Sequence, residues 1–130
     1  MIYHQKYFQE NEFKIENKKI KCYLSPNLVK NNFKHGFFSK LSYELHLDLL
    51  SKQITSNNRN FILNQIHSNK IVPISKIKEF KRLEADGMIC DMNNQNLWIY
   101  TADCMPIFFA DKMTRNAKTL YFGRKGLEKK

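Results

Sequence analysis

The sequence predicts an α+β fold in which short strands outnumber helices. Through most of the 130 residues, apolar side chains alternate with polar ones or form short continuous runs, which is typical of strands. Polar breaks rich in Asn, Asp and Lys separate these runs. One stretch shows the period of an amphipathic helix. Because this length supports one modest core, we expect a single domain over residues 1–130.

The first half of the chain predicts three strands and one helix. The strand patterns cover residues 13–15, 19–23 and 33–39. The first two of these strands flank a polar break, and this arrangement predicts a β-hairpin. Ser42 can cap a helix from residue 43 to about residue 52, in which Leu45 and Leu49 share one face.

The second half predicts six further short strands, separated by polar turns and a charged connector. The strands are expected at residues 61–66, 71–74, 88–90, 97–100, 107–110 and 119–122, with polar turns at 93–96 and 112–116. Pro73 favours an edge position for the second of these strands, because proline cannot donate a ladder hydrogen bond. We expect the runs at 97–100 and 107–110, which are the most apolar, to lie deepest.

The chain is strongly basic, with 22 Lys and Arg against 12 Asp and Glu and a formal net charge of +10. Seven of the basic residues lie between residues 112 and 130, where there is one acidic residue. An anionic partner would suit this charge. The joint abundance of Lys, Asn, Ile and Phe instead indicates a bias of the coding DNA, and we favour a solvated surface. Because no nucleic-acid motif accompanies the charge, we do not expect nucleic acid as a partner.

The cysteine count and the apolar pattern bear on location. The three cysteines leave an odd number and form no Cys-x-x-Cys pair, which favours a reducing compartment. The first residues lack the apolar segment of a signal peptide, and no apolar run is long enough to span a bilayer. We therefore expect a cytoplasmic protein that makes no membrane contact.

Two short segments carry the side chains best suited to chemistry. Gln65-Ile66-His67-Ser68 offers an imidazole, and Thr101-Ala102-Asp103-Cys104 offers a thiol, each at the end of a strand-like run. Brought together by the fold, His67 and Cys104 could bind one zinc ion or act as a thiol with its base. The alternatives are a hydrogen-bonded structural histidine and an inert buried cysteine. The carboxylate of Asp103 and the rigid Pro106 near Cys104 favour a functional role for the thiol.

Other polar residues allow both a structural and a functional interpretation. Asp86 and Asp91 flank a short apolar run and could cap a turn or accept a hydrogen bond that orients an imidazole. We favour the cap for Asp91 and leave both roles open for Asp86. His35 could be a hydrogen-bonded residue at a strand end or could line a pocket.

Taken together, five segments resemble, in the same order, motifs of the YfiH family, also called the multicopper polyphenol oxidoreductase or laccase-domain family. The segments are His35–Ser39, Gln65–Ser68, Ala85–Asp91, Thr101–Ile107 and Tyr121–Gly126. The fourth, Thr-Ala-Asp-Cys-Met-Pro-Ile, is the most specific. The resemblance covers nearly the whole chain but only about the first half of a family domain.

The resemblance implies a layered α/β/β/α fold with mixed sheets, incomplete at the C-terminus. It also implies a zinc ion held by a His, a Cys and a second His. His67 and Cys104 match two of these ligands, and Tyr121 occupies the position of the second His. Asp86 and Asp103 would orient the metal ligands through hydrogen bonds without binding the metal themselves. His35 would be a substrate-binding residue. We rank zinc above copper because carbon atoms, not the metal, would be the reacting centres.

The activity implied by the resemblance is that of a purine nucleoside phosphorylase and adenosine deaminase, under an older label of polyphenol oxidase or laccase. The partners would be purine nucleosides and phosphate, with His67 and Cys104 as catalytic residues. One alternative is an inactive truncated fragment with a structural or partner-dependent role, because Tyr121 replaces an imidazole and the family continues past the last residue. A third is a basic anion-binding module that uses the tail. An open sheet edge would also favour self-association.

Overall fold

The fold is mixed and rich in strands, with a few short helices, which confirms the predicted α+β class. The computed structural model describes residues 8–40, 42, 45–56, 59–77, 82–101 and 105–122. The chain divides into two compact units, Met1–Asn58 and Arg59–Lys130. The expectation of a single domain stays a prediction.

A β-hairpin forms the centre of the first unit and confirms the predicted one. Strand β1 (Gln9–Ile15) pairs antiparallel with β2 (Lys18–Leu24). The two turn residues, Glu16 and Asn17, have φ angles of 49° and 65°. This left-handed geometry suits two-residue hairpin turns, because its twist matches that of the flanking strands. Strand β3 (Phe37–Phe38) then pairs with the other side of β2.

A close contact between Gly36 and Cys22 sets how closely the segment before β3 approaches β2. Cys22 is fully buried, as is Ile20 on the same face of β2. A Cβ atom on Gly36 would lie 2.5 Å from the Cys22 Sγ atom, so the backbone needs glycine there. Burial raises the pKa of the Cys22 thiol to about 11. Cys22 is therefore a packing residue.

The predicted helix of residues 43–52 is shorter than expected. The helix observed there, which we label α2, spans Leu47–Ser51. His46 caps it, because its ring Nδ1 accepts a hydrogen bond from the Asp48 N–H at 3.3 Å. The expected cap, Ser42, instead donates its hydroxyl to the Ser39 carbonyl at 2.6 Å. The hydroxyl thus closes the preceding turn, and the histidine at the true helix start takes over the capping role.

A further helix, α1, spans Pro26–Lys30 and was not predicted. Its first residue is proline, whose fixed φ suits the first turn of a helix. Residue 43, where the other helix was expected to begin, lies outside the described residues.

The second unit is built on a four-stranded mixed sheet. Its strands are β5 (Ile71–Pro73), β6 (Gly87–Ile89), β8 (Met105–Ala110) and β9 (Ala117–Phe122). The order across the sheet is β5-β6-β9-β8, with β5 and β6 parallel and the other neighbours antiparallel. Pro73 therefore lies on an edge strand, as expected.

A separate two-stranded parallel sheet corrects two of the predicted boundaries. Strand β4 covers Arg59–Phe61 rather than 61–66, and β7 covers Gln95–Leu97, where a turn was expected, instead of 97–100. Amide side chains explain the difference. The Asn60 Oδ1 atom accepts hydrogen bonds from Asn96 Nδ2 at 3.0 Å and from Trp98 Nε1 at 2.7 Å. Asparagine favours turns locally, but here the cross-strand amide contacts favour strands.

The core of the second unit lies between the loops and one face of the four-stranded sheet. Its buried members are Phe61, Leu63, Val72, Ile74, Ala85 and Met88. The expectation that residues 97–100 and 107–110 lie deepest is wrong, since Tyr100 is 38% exposed and Phe109 is 51% exposed. Strand β8 is an edge strand, and part of its apolar side points away from this core.

We expect Gly36→Ala to lower the free energy of unfolding by about 1–3 kcal/mol, because the new methyl group would overlap the Cys22 sulfur. Urea unfolding of Gly36→Ala, Cys22→Ala and the double variant tests this. In the Cys22→Ala background the cost of Gly36→Ala should fall, because the overlapping sulfur is gone. Equal costs in both backgrounds would show that the contact does not constrain the strand.

Asp91 supports a pH-dependent contact between the turn after β5 and the end of β6. Its carboxylate accepts hydrogen bonds from the Ser75 N–H, at 3.0 Å, and from the Ser75 hydroxyl. These bonds hold the pKa of Asp91 below its usual range. Asp91 is therefore a capping residue, which is the role that its sequence favoured.

We expect Asp91→Asn to destabilise the protein more at pH 6 than at pH 3. A carboxyl with a lowered folded-state pKa stabilises the fold above its unfolded-state pKa of about 3.9 and loses that stabilisation as the pH falls through the folded-state value. Thermal unfolding of the parent and of Asp91→Asn at pH 3 to 6 gives the loss of stability at each pH. In a Ser75→Ala background, the loss caused by Asp91→Asn should depend less on pH. A difference that does not change with pH would contradict this origin.

Candidate functional site

His67 lies in a backbone conformation that must be held in place by its surroundings. Its φ angle is 58°, in the left-handed region. Histidine enters this region more often than most residues, but the conformation still has a cost. The side chain is exposed, so the imidazole is accessible to a ligand. Neighbouring groups must therefore fix the loop that carries this ring.

The buried carboxylate of Asp86 fixes that loop. Its Oδ1 atom accepts hydrogen bonds from the Ile66 N–H at 3.1 Å and the His67 N–H at 3.0 Å. Its Oδ2 atom accepts from the Ser68 N–H at 2.6 Å and the Ser68 hydroxyl at 2.5 Å. Asp86 is only 3% exposed. Successive N–H groups around a left-handed residue form a concave anion site, and here the protein fills it with its own carboxylate.

The main chain of Asp86 connects the same loop to strand β9. Its N–H donates to the Lys70 carbonyl at 3.0 Å, and its carbonyl accepts from the Tyr121 N–H at 2.7 Å. The rings of His67 and Tyr121 lie with their centroids 5.4 Å apart at an interplanar angle of 53°. The fold thus brings together two of the residues singled out from sequence, which are 54 positions apart.

Gln65 connects the His67 loop to the segment that leads to Cys104. Its Nε2 atom donates to the Tyr100 carbonyl at 2.7 Å, and its Oε1 atom accepts from the Tyr100 N–H at 2.8 Å. This two-point contact imitates the pairing between adjacent strands. Sequence reasoning placed Gln65 in the motif but gave it no role, and the motif carried no signal of its distant partner.

The other side of the Cys104 segment is held by the sheet. Strand β8 begins at Met105, whose backbone pairs with Phe122, and Pro106 pairs with Tyr121. Both described flanks of residues 102–104 are therefore attached to the elements that carry His67 and Tyr121. Cys104 and Asp103 themselves lie outside the described residues.

His35 makes hydrogen bonds with both ring nitrogens inside the first unit. Its Nε2 atom accepts from the Ser25 N–H at 2.7 Å, and its Nδ1 atom lies 2.9 Å from the Phe33 carbonyl. The carbonyl requires a proton on Nδ1, which leaves Nε2 as the acceptor. These contacts fit a structural histidine, and the substrate-binding role of His35 stays a prediction.

Asp86 acts on a different part of His67 from the one that the sequence suggested. A carboxylate behind a metal ligand was expected to accept a hydrogen bond from the imidazole. The contacts observed run to the backbone of the loop instead. Asp86 therefore determines the position of the His67 main chain, and the ring orientation depends on its own neighbours, among them Tyr121.

Within the described ranges, no group of three His, Cys, Asp or Glu side chains is placed to hold a metal ion. This part of the chain contributes the His67 imidazole and, next to it, the Tyr121 phenol. The thiol that could complete the set belongs to the segment outside those ranges.

No described helix is long and apolar enough to cross a membrane.

Residues 43–130 match the family described as multi-copper polyphenol oxidoreductase laccase. The chain belongs to this family. The match covers more than half of the chain, and it confirms the resemblance drawn from the ordered motifs.

Two curated proteins match most of this chain. Purine nucleoside phosphorylase slr1573 of Synechocystis sp. is 24% identical over an alignment of 98 residues, which covers 71% of this chain and 37% of that protein. Purine nucleoside phosphorylase CA_C1699 of Clostridium acetobutylicum is 29% identical over an alignment of 100 residues, which covers 69% of this chain and 42% of that protein. The chain thus spans about two fifths of the length of these relatives.

A solved structure shows the same fold. Neisseria meningitidis protein NMB0706 superposes with a TM-score of 0.57 at 18% sequence identity. The superposition covers 92% of this chain and 52% of that protein. At this identity the likeness concerns the fold alone.

We expect Asp86→Asn to lower the free energy of unfolding by about 2–3 kcal/mol, because an amide cannot accept all the hydrogen bonds that the buried carboxylate accepts. Ser68→Ala is the matched milder change. It removes one donor to Asp86 and the acceptor of the Lys70 N–H, at 3.2 Å, and it leaves the three N–H groups that bond to the carboxylate, so its cost should be about 1–2 kcal/mol. Urea unfolding measures both. An Asp86→Asn variant as stable as the parent would show that the carboxylate does not hold the loop.

Proposed function

We propose that this chain is part of a zinc-dependent purine nucleoside phosphorylase. The proposed zinc site includes His67, Cys104 and Tyr121. The observation that carries the proposal is the contact between the His67 and Tyr121 rings, where the family resemblance places two imidazoles. Two relatives named purine nucleoside phosphorylase support the substrate class of purine nucleosides and phosphate. The finer architecture proposed with it is the four-layered α/β/β/α arrangement.

The donor set suits zinc better than copper. An imidazole and a thiolate are common zinc ligands, and a site with an unfilled position leaves room for substrate. When bound, zinc would supply a Lewis acid next to the reacting group. Tyr121 is the weak member of the set, because a phenol ordinarily keeps its proton until about pH 10. We therefore expect weak metal binding by His67 and Cys104 in this chain.

The protein's own contribution is to fix the loop that carries His67 and the described residues that lead towards Cys104. Asp86 maintains the left-handed turn at His67. Gln65 fixes Tyr100, four residues before Cys104. Residues positioned in this way orient substrate without a cost in conformational entropy at the moment of reaction. Asp103 remains a candidate for supporting the ligands, by its place next to Cys104.

In the proposed reaction a phosphate oxygen forms a bond to the anomeric carbon of the ribose while the bond from that carbon to the purine nitrogen breaks. The electron pair of the broken bond goes to the purine, which then takes up a proton. The site would position the two reactants and stabilise the departing base. Deamination of adenosine, in which water replaces the ring amino group, is the second activity to assay at the same site.

Zinc content tests the proposal most directly. We expect zinc to bind the parent with His67 and Cys104, and expect Cys104→Ala and His67→Ala each to abolish binding. Tyr121→His should strengthen binding by at least about tenfold, because it restores an imidazole. Cys90→Ala removes a thiol outside the proposed site, so it is the matched control and should leave zinc binding unchanged. Metal analysis after dialysis against zinc, followed by competition with a chelator, gives these values.

Phosphorolysis of adenosine, inosine and guanosine then tests turnover in the same variants. Loss of zinc together with loss of turnover in Cys104→Ala would support the enzyme. Zinc binding in Tyr121→His but not in the parent would contradict the metal site in this chain and favour the inactive family fragment. The observation that supports this second candidate is that the ring next to His67 is the phenol of Tyr121 and not an imidazole.

A further inference from the structure

The four-stranded sheet has a second apolar face that is open. The strand register places on this face the side chains of Ile71, Pro73, Ile89, Ile107, Phe109, Lys118 and Leu120. We call these residues the outer face. Opposite them, Val72, Met88 and Thr119 point into the core and are at most 7% exposed. Among the described residues of the second unit, the buried core therefore lies against one side of the sheet only.

The composition of the strands is that of a sheet covered on both sides. Strands β6 and β8 are apolar at every position, which is typical of strands with two buried faces rather than one. On the outer face, however, Ile71 is 46% exposed and Phe109 is 51% exposed. An open groove of about 610 Å³ lies over part of this face, and its charged lining residues are Asp111, Lys112 and Lys118. Burying this surface would be favourable.

The length of the family domain indicates what covers the outer face. This chain spans 37% and 42% of two relatives and 52% of a solved protein of the same fold. A whole domain thus contains about as many further residues, and these need an apolar surface against which to pack. A second copy of this chain suits the surface less well, because two copies that each have a net charge of +10 repel one another.

We propose that the outer face is the docking surface for the part of the family domain that this chain does not span. The surface also adjoins the candidate site through the backbone. Gly87 and Leu120 contribute to the outer side of β6 and β9, and they directly adjoin Asp86 and Tyr121 in the chain. Covering the outer face would therefore stabilise the strands that carry the site. The proposal depends on the family and fold, and not on zinc binding.

A complementation experiment tests the proposal. The 130-residue chain is co-expressed with the part of the Clostridium acetobutylicum relative that follows its matched 100 residues, carried on a separate tagged polypeptide. We expect a complex of one copy of each, detected by co-purification and native mass spectrometry. Ile71→Lys and Phe109→Lys should each weaken binding by at least tenfold. Val29→Lys, at a residue with a similar exposure of 42%, is the control and should change it less than twofold.

A second format guards against a partner segment that does not fold separately. The same segment is joined to the C-terminus of the chain by a flexible linker, and the oxidative labelling of Phe109 is compared with that of the unlinked chain. Labelling should fall several-fold in the linked protein. A Cys104→Ala version should behave identically in both formats, which separates this outcome from the outcome of the zinc measurement.

Three results would overturn the proposal. The first is a complex that Ile71→Lys and Phe109→Lys leave intact, which would place the contact elsewhere. The second is a dimer of the chain alone that Phe109→Lys abolishes, which would make a second copy the occupant. The third is the absence of both a complex in co-expression and protection of Phe109 in the linked protein.

Discussion

The carboxylate of Asp86 is the group on which the arrangement of the candidate site depends. It is buried, and it meets four hydrogen-bond donors from three consecutive residues. Desolvating a carboxylate is costly unless donors replace the lost water, and the loop supplies them. In return, these hydrogen bonds stabilise the left-handed backbone conformation of His67, whose φ angle is 58°. The buried charge and the unusual backbone therefore stabilise each other.

The same residue connects the loop to the sheet. The Asp86 carbonyl bonds to the Tyr121 N–H, while its side chain bonds to the His67 N–H. A shift of Asp86 would thus move both members of the ring pair. Gln65 extends the connection to Tyr100 and so to the approach of the Cys104 segment. The polar contacts of Asp86 and Gln65 hold the backbone of the candidate site, while the His67 imidazole is exposed.

Tyr121 stands at the position where the family resemblance implies a second histidine. The fold keeps its ring next to His67, with the ring centroids 5.4 Å apart, and a phenol is a poorer metal ligand than an imidazole near neutral pH. The outer face of the sheet shows a similar relation between sequence and surroundings. Its strands have the composition of a doubly covered sheet, although one of their faces is open. Both features belong to a chain that spans about two fifths of its curated relatives.

The sequence by itself determined the mixed class, the hairpin, the edge position of Pro73 and the family, because these depend on local patterns and ordered motifs. It also singled out His67, Asp86 and Tyr121. It placed the helix cap at Ser42 and the deepest residues at 97–100, where local propensity differs from the contacts finally made. Only the tertiary structure decided that Asp86 bonds to the loop backbone, that Gln65 bonds to Tyr100 and that Tyr121 lies beside His67. These contacts join residues 18 to 54 positions apart, and no local pattern records which distant partner a polar side chain will meet.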